Sequence, residues 1–190
     1  MEAMVGSLNN RSTANEMNLP LTHITIVTTQ KCNLSCKGCY VDTLVPGDLD
    51  IKKLNENILI PFRELGGRSI GFSGGEPLLY SNILDAIKEA KRCKLYVSLV
   101  TNGVLLNYDI AKSLAELGVN SLQISLDSSE ESYNDLMRGK GNKMAVINAV
   151  KNATSVGLPT SLVAIPNESL MHNFETFIID LIRSLFYYKN

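Results

Sequence analysis

The stretch from Lys31 to Tyr40, KCNLSCKGCY, holds three of the chain's four cysteines, Cys32, Cys36 and Cys39. Thiolates are ligands for soft metals: zinc, copper(I) and iron–sulfur clusters. A structural zinc ion takes four protein ligands. No fourth cysteine lies nearby, so His23 or a group from outside the chain would have to complete such a site. A 4Fe–4S cubane held by only three cysteines leaves one iron open to an exogenous ligand. A site for electron transfer alone would fill that position, so an open iron points to chemistry on a bound molecule.

The elements that must position these thiols follow a regular rhythm. Thr22–Thr29 is β-branched and apolar and reads as a strand. Asp50–Gly67 reads as a helix, with Pro61 inside it predicting a kink or a break. A second strand is expected over Arg68–Gly74, then a helix over Ser81–Cys93 with Ser81 as N-cap. Lys94–Asn102 reads as strand, Asn107–Gly118 as helix and Asn120–Asp127 as strand. Helical pattern returns over Glu130–Arg138 and Asn142–Gly157, a fifth strand over Pro159–Pro166, and a last helix from Asn173. In that helix Phe174, Phe177, Ile178, Leu181, Ile182 and Leu185 form one apolar stripe, expected to pack on the sheet.

Five alternations of strand and helix predict an α/β fold with a parallel sheet and right-handed crossovers, either an open doubly wound sheet or a closed or partly closed barrel. The sequence ends after the fifth β/α unit, where a barrel would continue. In such folds the ligand site lies at the C-terminal ends of the strands. The unusual residues all fall there: the cysteines after strand one, GGEP (Gly74–Pro77) after strand two, TNG (Thr101–Gly103) after strand three, SLD (Ser125–Asp127) closing strand four and AIPN (Ala164–Asn167) closing strand five. One composite site is the simplest account.

The bulk numbers bound the function. The chain has 190 residues, 45% hydrophobic and 19% charged, with a formal net charge of −1. That is enough for one domain with a real core, expected over residues 21–190 behind a loosely ordered tail at 1–20. No basic tract favours a nucleic-acid partner, and no apolar run is long enough to span a membrane. The polar N-terminus, MEAMVGSLNNRSTANEMN, does not resemble a secretory signal. The expected location is therefore the cytoplasm, where clustered thiols are metal ligands more often than disulfides.

Cys-x3-Cys-x2-Cys directly after a strand, joined to SGGEPLL at the next strand end, resembles the radical S-adenosylmethionine (SAM) enzymes over about Leu21 to Asn167. The resemblance implies a partial parallel (β/α) barrel, a 4Fe–4S cluster on Cys32, Cys36 and Cys39, and SAM as second cofactor, chelated to the open iron. It implies reductive cleavage of SAM to a 5′-deoxyadenosyl radical that takes hydrogen from a substrate. It also implies a low-potential electron donor such as ferredoxin or flavodoxin. CNLSCKGCY, GGEPLL, TNG and ISLDS look most like the group of peptide maturases, sulfatase-maturing enzymes, haem and pyrroloquinoline quinone biosynthesis proteins and the molybdopterin precursor cyclase. Members often carry a C-terminal extension with further clusters. Here Cys93 is the one cysteine outside the motif, so a minimal or truncated member, or one working with a second subunit, is expected. A peptide or a cofactor precursor is the implied substrate.

By the same resemblance, Gly74 and Gly75 let the backbone approach SAM's amino group, Glu76 fixes that loop or contacts the amino group, and Pro77 stiffens it. Ser125, Asp127 and Asn102 are candidates for the SAM ribose or carboxylate, Arg138 for the carboxylate, and Ala164 to Asn167 for adenine. The position before the third cysteine, often aromatic in the family, is Gly38; the aromatic is Tyr40. Simpler roles compete: a non-catalytic zinc or iron–sulfur module for the cysteines, plain turns for GGEP and TNG, a strand end for Ser125, a helix N-cap for Asp127, and a solvated helix-end cation for Arg138. Cys93, His23 and His172 read as bystanders.

Overall fold

A computed structural model describes residues 21–39, 41, 47–165, 168–172 and 174–186. The expected tail at 1–20, Tyr40, Pro166 and Asn167 lie outside the described residues. Five strands form one sheet in the order β1-β2-β3-β4-β5, every pairing parallel. They are β1 (His23–Val27), β2 (Ser69–Ser73), β3 (Tyr96–Thr101), β4 (Ser121–Ser125) and β5 (Thr160–Val163). The expected α/β fold, a parallel sheet of the partial (β/α) barrel type, is the observed one.

The crossovers are α1 (residues 51–64), α2 (Ile83–Arg92), α3 (Tyr108–Glu116), and the pair α4 (Glu131–Arg138) and α5 (Asn142–Ser155). After β5 come α6 (Glu168–His172) and α7 (Phe174–Phe186). Strand order never reverses, so right-handed crossovers put the helices on one face. The packing agrees. Ile70 and Phe72 of β2, Val97 and Leu99 of β3, and Leu122 and Ile124 of β4 are fully buried in one core cluster with Leu59, Ile87, Leu114 and Val146 from the helices. Burying each such side chain stabilises the fold by roughly 1.5–3 kcal/mol.

Three local expectations are corrected. Pro61 neither breaks nor ends α1: the helix widens to a π-turn over Asn55–Leu59, and the Ile60 N–H reaches Asn55 O. The shift accommodates a residue with no N–H. Ser81 is not the N-cap of α2. Asn82 holds that position without a side-chain bond, because the 3₁₀ turn Pro77–Leu79 leaves Tyr80 O to accept from Ile83 N at 3.0 Å. In α7 only Phe177 and Leu181 are buried; Phe174, Ile178 and Ile182 are exposed. The helix packs on α5 rather than spreading its stripe over the sheet.

Candidate functional site

The cysteine loop runs along the C-terminal rim of the sheet, touching the ends of β2 and β3 and then α4. Thr28 N donates to Ser73 O, extending the β1–β2 ladder. Thr29 O and Lys31 O then accept from Gly75 N and Glu76 N, both at 2.8 Å. Further along, Asn102 Nδ2 at the end of β3 donates to Asn33 Oδ1 at 2.7 Å and lies 3.8 Å from Cys32 Sγ. At its far end Lys37 N donates to Met137 O at 2.8 Å, and Cys36 Sγ lies 3.9 Å from Arg138 O. A loop that starts at β1 is thus docked on the C-terminus of α4.

All three thiols are free, Cys32 and Cys39 exposed and Cys36 half-buried. Burial pushes the Cys36 thiol above its ordinary range; the Arg138 guanidinium pulls the other way, while Cys32, Cys39 and Asp127 add to the rise. Among the described residues no group of three or more His, Cys, Asp or Glu gathers as a single metal ion would require. His23 cannot complete a zinc site with these cysteines. It stands at the opposite end of β1, with Nδ1 2.8 Å from Ser69 Oγ and Nε2 3.1 Å from Thr25 Oγ1.

The GGEP turn is built against this loop. A Cβ on Gly74 would come within 2.4 Å of Thr29 O, and one on Gly75 within 2.4 Å of Lys31 O. Gly74 also has φ +149°, a conformation side chains rarely adopt. The space left by both missing side chains is filled by the cysteine loop's own backbone. Pro77 is buried and opens the 3₁₀ turn. Glu76 is fully buried and points the other way, toward β3. Its Oε1 accepts from Thr101 Oγ1 at 2.7 Å and Leu78 N at 3.1 Å, and Oε2 accepts from Asn102 N at 2.8 Å. Of its two expected roles, the geometry supplies the first: it fixes the loop.

Burial pushes the Glu76 carboxyl above its usual range, against the bonds from Asn102, Thr101 and Leu78. The folded chain therefore holds this proton more tightly than the unfolded chain. Stability from this group is complete below the ordinary carboxyl range, about pH 4.3, and is lost as pH rises through the raised value. Wild type is expected to lose stability relative to Glu76→Gln as pH rises from the ordinary carboxyl range, about pH 4.3, through the raised value. Urea titrations of the two proteins across that window check the sign; parallel pH curves would refute it.

Asp127 and Arg138, each expected to face SAM, are paired with each other. Arg138 Nε lies 2.7 Å from Asp127 Oδ2, and Nη2 donates to Oδ1 at 2.9 Å, with side chains only 11% and 7% exposed. Asp127 Oδ1 also accepts from Ile165 N at 3.1 Å, and Asn134 Oδ1 accepts from Asp127 N. One carboxylate so ties together the ends of β4, α4 and β5. Two simpler roles fall: the N-cap of α4 is Glu130, not Asp127, and Arg138 is not a solvated cation.

Ser125 ends β4, half-buried beside this pair. Asn102 turns its Oδ1 back to Val104 N at 3.0 Å. Cys93 follows α2 on the helix side, and His172 is exposed on α6. Sequence reasoning missed Asn134 and gave no individual role to Thr101, inside the TNG motif, or to Asn33, inside the cysteine segment; all three hold the named residues in place. Asn134 carried a signal: a polar side chain at a wholly buried position of a helix, bonded through Nδ2 to Asn142 Oδ1 at 3.0 Å.

The chain is similar to known proteins in sequence and fold. The radical SAM superfamily profile matches residues 26–178. A probable GTP 3′,8-cyclase from Archaeoglobus fulgidus is 33% identical over 139 residues, 73% of this chain and 46% of that protein. A PqqA peptide cyclase from Streptomyces rochei is 34% identical over 136 residues, 70% of this chain and 37% of that protein. The chain thus spans less than half the length of these curated relatives. Among solved structures, Streptococcus suis SuiB bound to its precursor peptide SuiA aligns with a TM-score of 0.74 at 20% identity, over 90% of this chain and 38% of that one.

Proposed function

Because the chain belongs to the radical SAM superfamily, we propose that Cys32, Cys36 and Cys39 hold a 4Fe–4S cluster and that the rim around them binds SAM at the open iron. Together these cofactors supply one chemistry, reductive cleavage of the sulfonium to methionine and a 5′-deoxyadenosyl radical that takes hydrogen from a substrate. The observation that carries the reading is that one cysteine loop is bonded to GGEP at Thr29 and Lys31, to Asn102 at Asn33, and to the end of α4 at Lys37, with Cys36 beside it.

The chain's own residues orient and enclose. Glu76 ties the GGEP turn to the end of β3, and Gly74 and Gly75 seat that turn against the cysteine loop. Ser125 and Asn102 are the polar groups that would meet its ribose or carboxylate. Asp127 acts as a positioning residue: its carboxylate pairs with Arg138, accepting from Nη2 at Oδ1, and holds the guanidinium at the rim, where it would meet a carboxylate. A peptide or a cofactor precursor is the substrate class, by likeness to the peptide cyclase and the nucleotide cyclase. The electron comes from a ferredoxin- or flavodoxin-like donor. Among the described residues no helix is long and apolar enough to cross a membrane.

The test is anaerobic reconstitution with iron and sulfide. The reduced protein is expected to give a cluster signal in electron paramagnetic resonance that shifts when SAM is added, and to release 5′-deoxyadenosine with dithionite as reductant. Bound zinc with no sulfide, or a cluster signal indifferent to SAM, would overturn the proposal in favour of a non-catalytic metal module.

A further inference from the structure

Charge over the whole chain is nearly balanced, 18 basic residues against 19 acidic, yet the surroundings of the cysteine loop are one-signed. Two segments meet there: residues 31–39, the loop itself, and residues 136–143, the end of α4 and the turn into α5. Lys37 N donates to Met137 O at 2.8 Å, and Leu34 Cδ2 lies 3.7 Å from the place a Cβ on Gly139 would take. Together the segments hold five basic residues, Lys31, Lys37, Arg138, Lys140 and Lys143, and no acidic one.

Two of the five are already paired, Lys31 with Asp48 and Arg138 with Asp127. Lys37, Lys140 and Lys143 have no ion-pair partner among the described residues. Lys37 and Lys140 are exposed and Lys143 is half-buried. Asp135, just before the second segment, is half-buried, and its carboxylate accepts from Gly141 N and Lys143 N. That leaves three lysines against one committed carboxylate among the described residues there. Glu130 and Glu131 stand at the start of α4, about 10 Å away along the helix. That exceeds the roughly 8 Å over which physiological salt screens a charge, so the patch keeps a net positive field.

Position decides what this charge serves. Lys37 stands between Cys36 and Cys39 in the chain, and Cys32 and Cys39 are exposed. A protein seated on these lysines therefore rests against the thiols. Electron-transfer encounters are small and weak, and complementary charge sets their on-rate more than their affinity. We propose that Lys37, Lys140 and Lys143 form the docking surface for an acidic one-electron donor protein. One electron leaves the reduced donor and reduces the cluster; no proton or group is transferred. This rests on the proposed cluster reading of Cys32, Cys36 and Cys39, and adds where the electron enters and what charge its carrier bears.

The test uses the full chain, reconstituted and SAM-loaded, with reduced flavodoxin as the acidic donor and photoreduced deazariboflavin as a small reductant that needs no docking surface. At low salt, Lys140→Glu with Lys143→Glu is expected to slow flavodoxin-driven release of 5′-deoxyadenosine about tenfold, the scale of lost electrostatic steering. With deazariboflavin the same variant is expected to match wild type. Salt at about 1 M, where the screening length falls to roughly 3 Å, is expected to erase the difference. Lys140→Arg with Lys143→Arg keeps the charge and is expected to match wild type throughout. Equal flavodoxin rates in wild type and the Glu variant would overturn the proposal. So would a slowing that survives 1 M salt, an equal slowing with deazariboflavin, or a wild type that flavodoxin cannot reduce. The reading beneath it fails separately, through a wild type that releases no 5′-deoxyadenosine with deazariboflavin either.

Discussion

Replacing Cys36 by serine is expected to strip the reconstituted protein of its iron and sulfide. Losing a partner outside the ligand shell already costs about 10–100-fold in metal affinity. Loss of one of only three protein ligands should cost at least as much, so iron content is expected to fall about tenfold or more. Cys36 is the informative member of the three. It is half-buried and held at the C-terminus of α4, whereas Cys32 and Cys39 are exposed. Cys32→Ser and Cys39→Ser are expected to give the same loss. Cys93→Ser is not, because Cys93 lies past the end of α2 on the helix side. Iron and sulfide analysis with visible absorbance reads all four proteins. Full cluster occupancy in Cys36→Ser would remove the basis of the proposed function.

The second large effect concerns the Asp127–Arg138 pair. Asp127→Ala leaves a guanidinium only 11% exposed without its carboxylate, and removes the acceptor that lies 3.1 Å from Ile165 N. Removing one partner of a buried pair costs about 3–5 kcal/mol. Replacing both by apolar groups removes the uncompensated charge, so Asp127→Ala with Arg138→Met is expected to recover most of that loss. Urea denaturation of the two single variants and the double variant measures the coupling. Additive single effects would mean that the pair is solvated and does not hold the rim together.

The fold was legible because its signal is local. Each strand is a short run of β-branched or alternating apolar residues and each crossover a helical period, and these predict a parallel sheet with the motifs gathered on one rim. The cysteine loop was legible for the same reason: spacing within one short segment states the ligand set. What could not be read was pairing across the sheet. Glu76 bonds to Thr101 and Asn102, more than twenty residues away, only because β2 and β3 lie side by side. Asp127 and Arg138 each carry the chemistry of a ligand contact, and nothing in their spacing reveals that they first satisfy each other. The stripe on α7 misled because helical periodicity reports an apolar face without reporting what covers it. Only Phe177 and Leu181 of that face found a buried place.

The cysteine loop leaves β1 at one edge of an open sheet and fastens to α4, three strands across, through Lys37 N and Cys36. It behaves as a drawstring across the mouth of an unclosed barrel. Tightening the loop around iron and keeping the outermost strand from peeling away are then a single mechanical act, so metal occupancy and resistance of the β1 edge to proteolysis should rise and fall together.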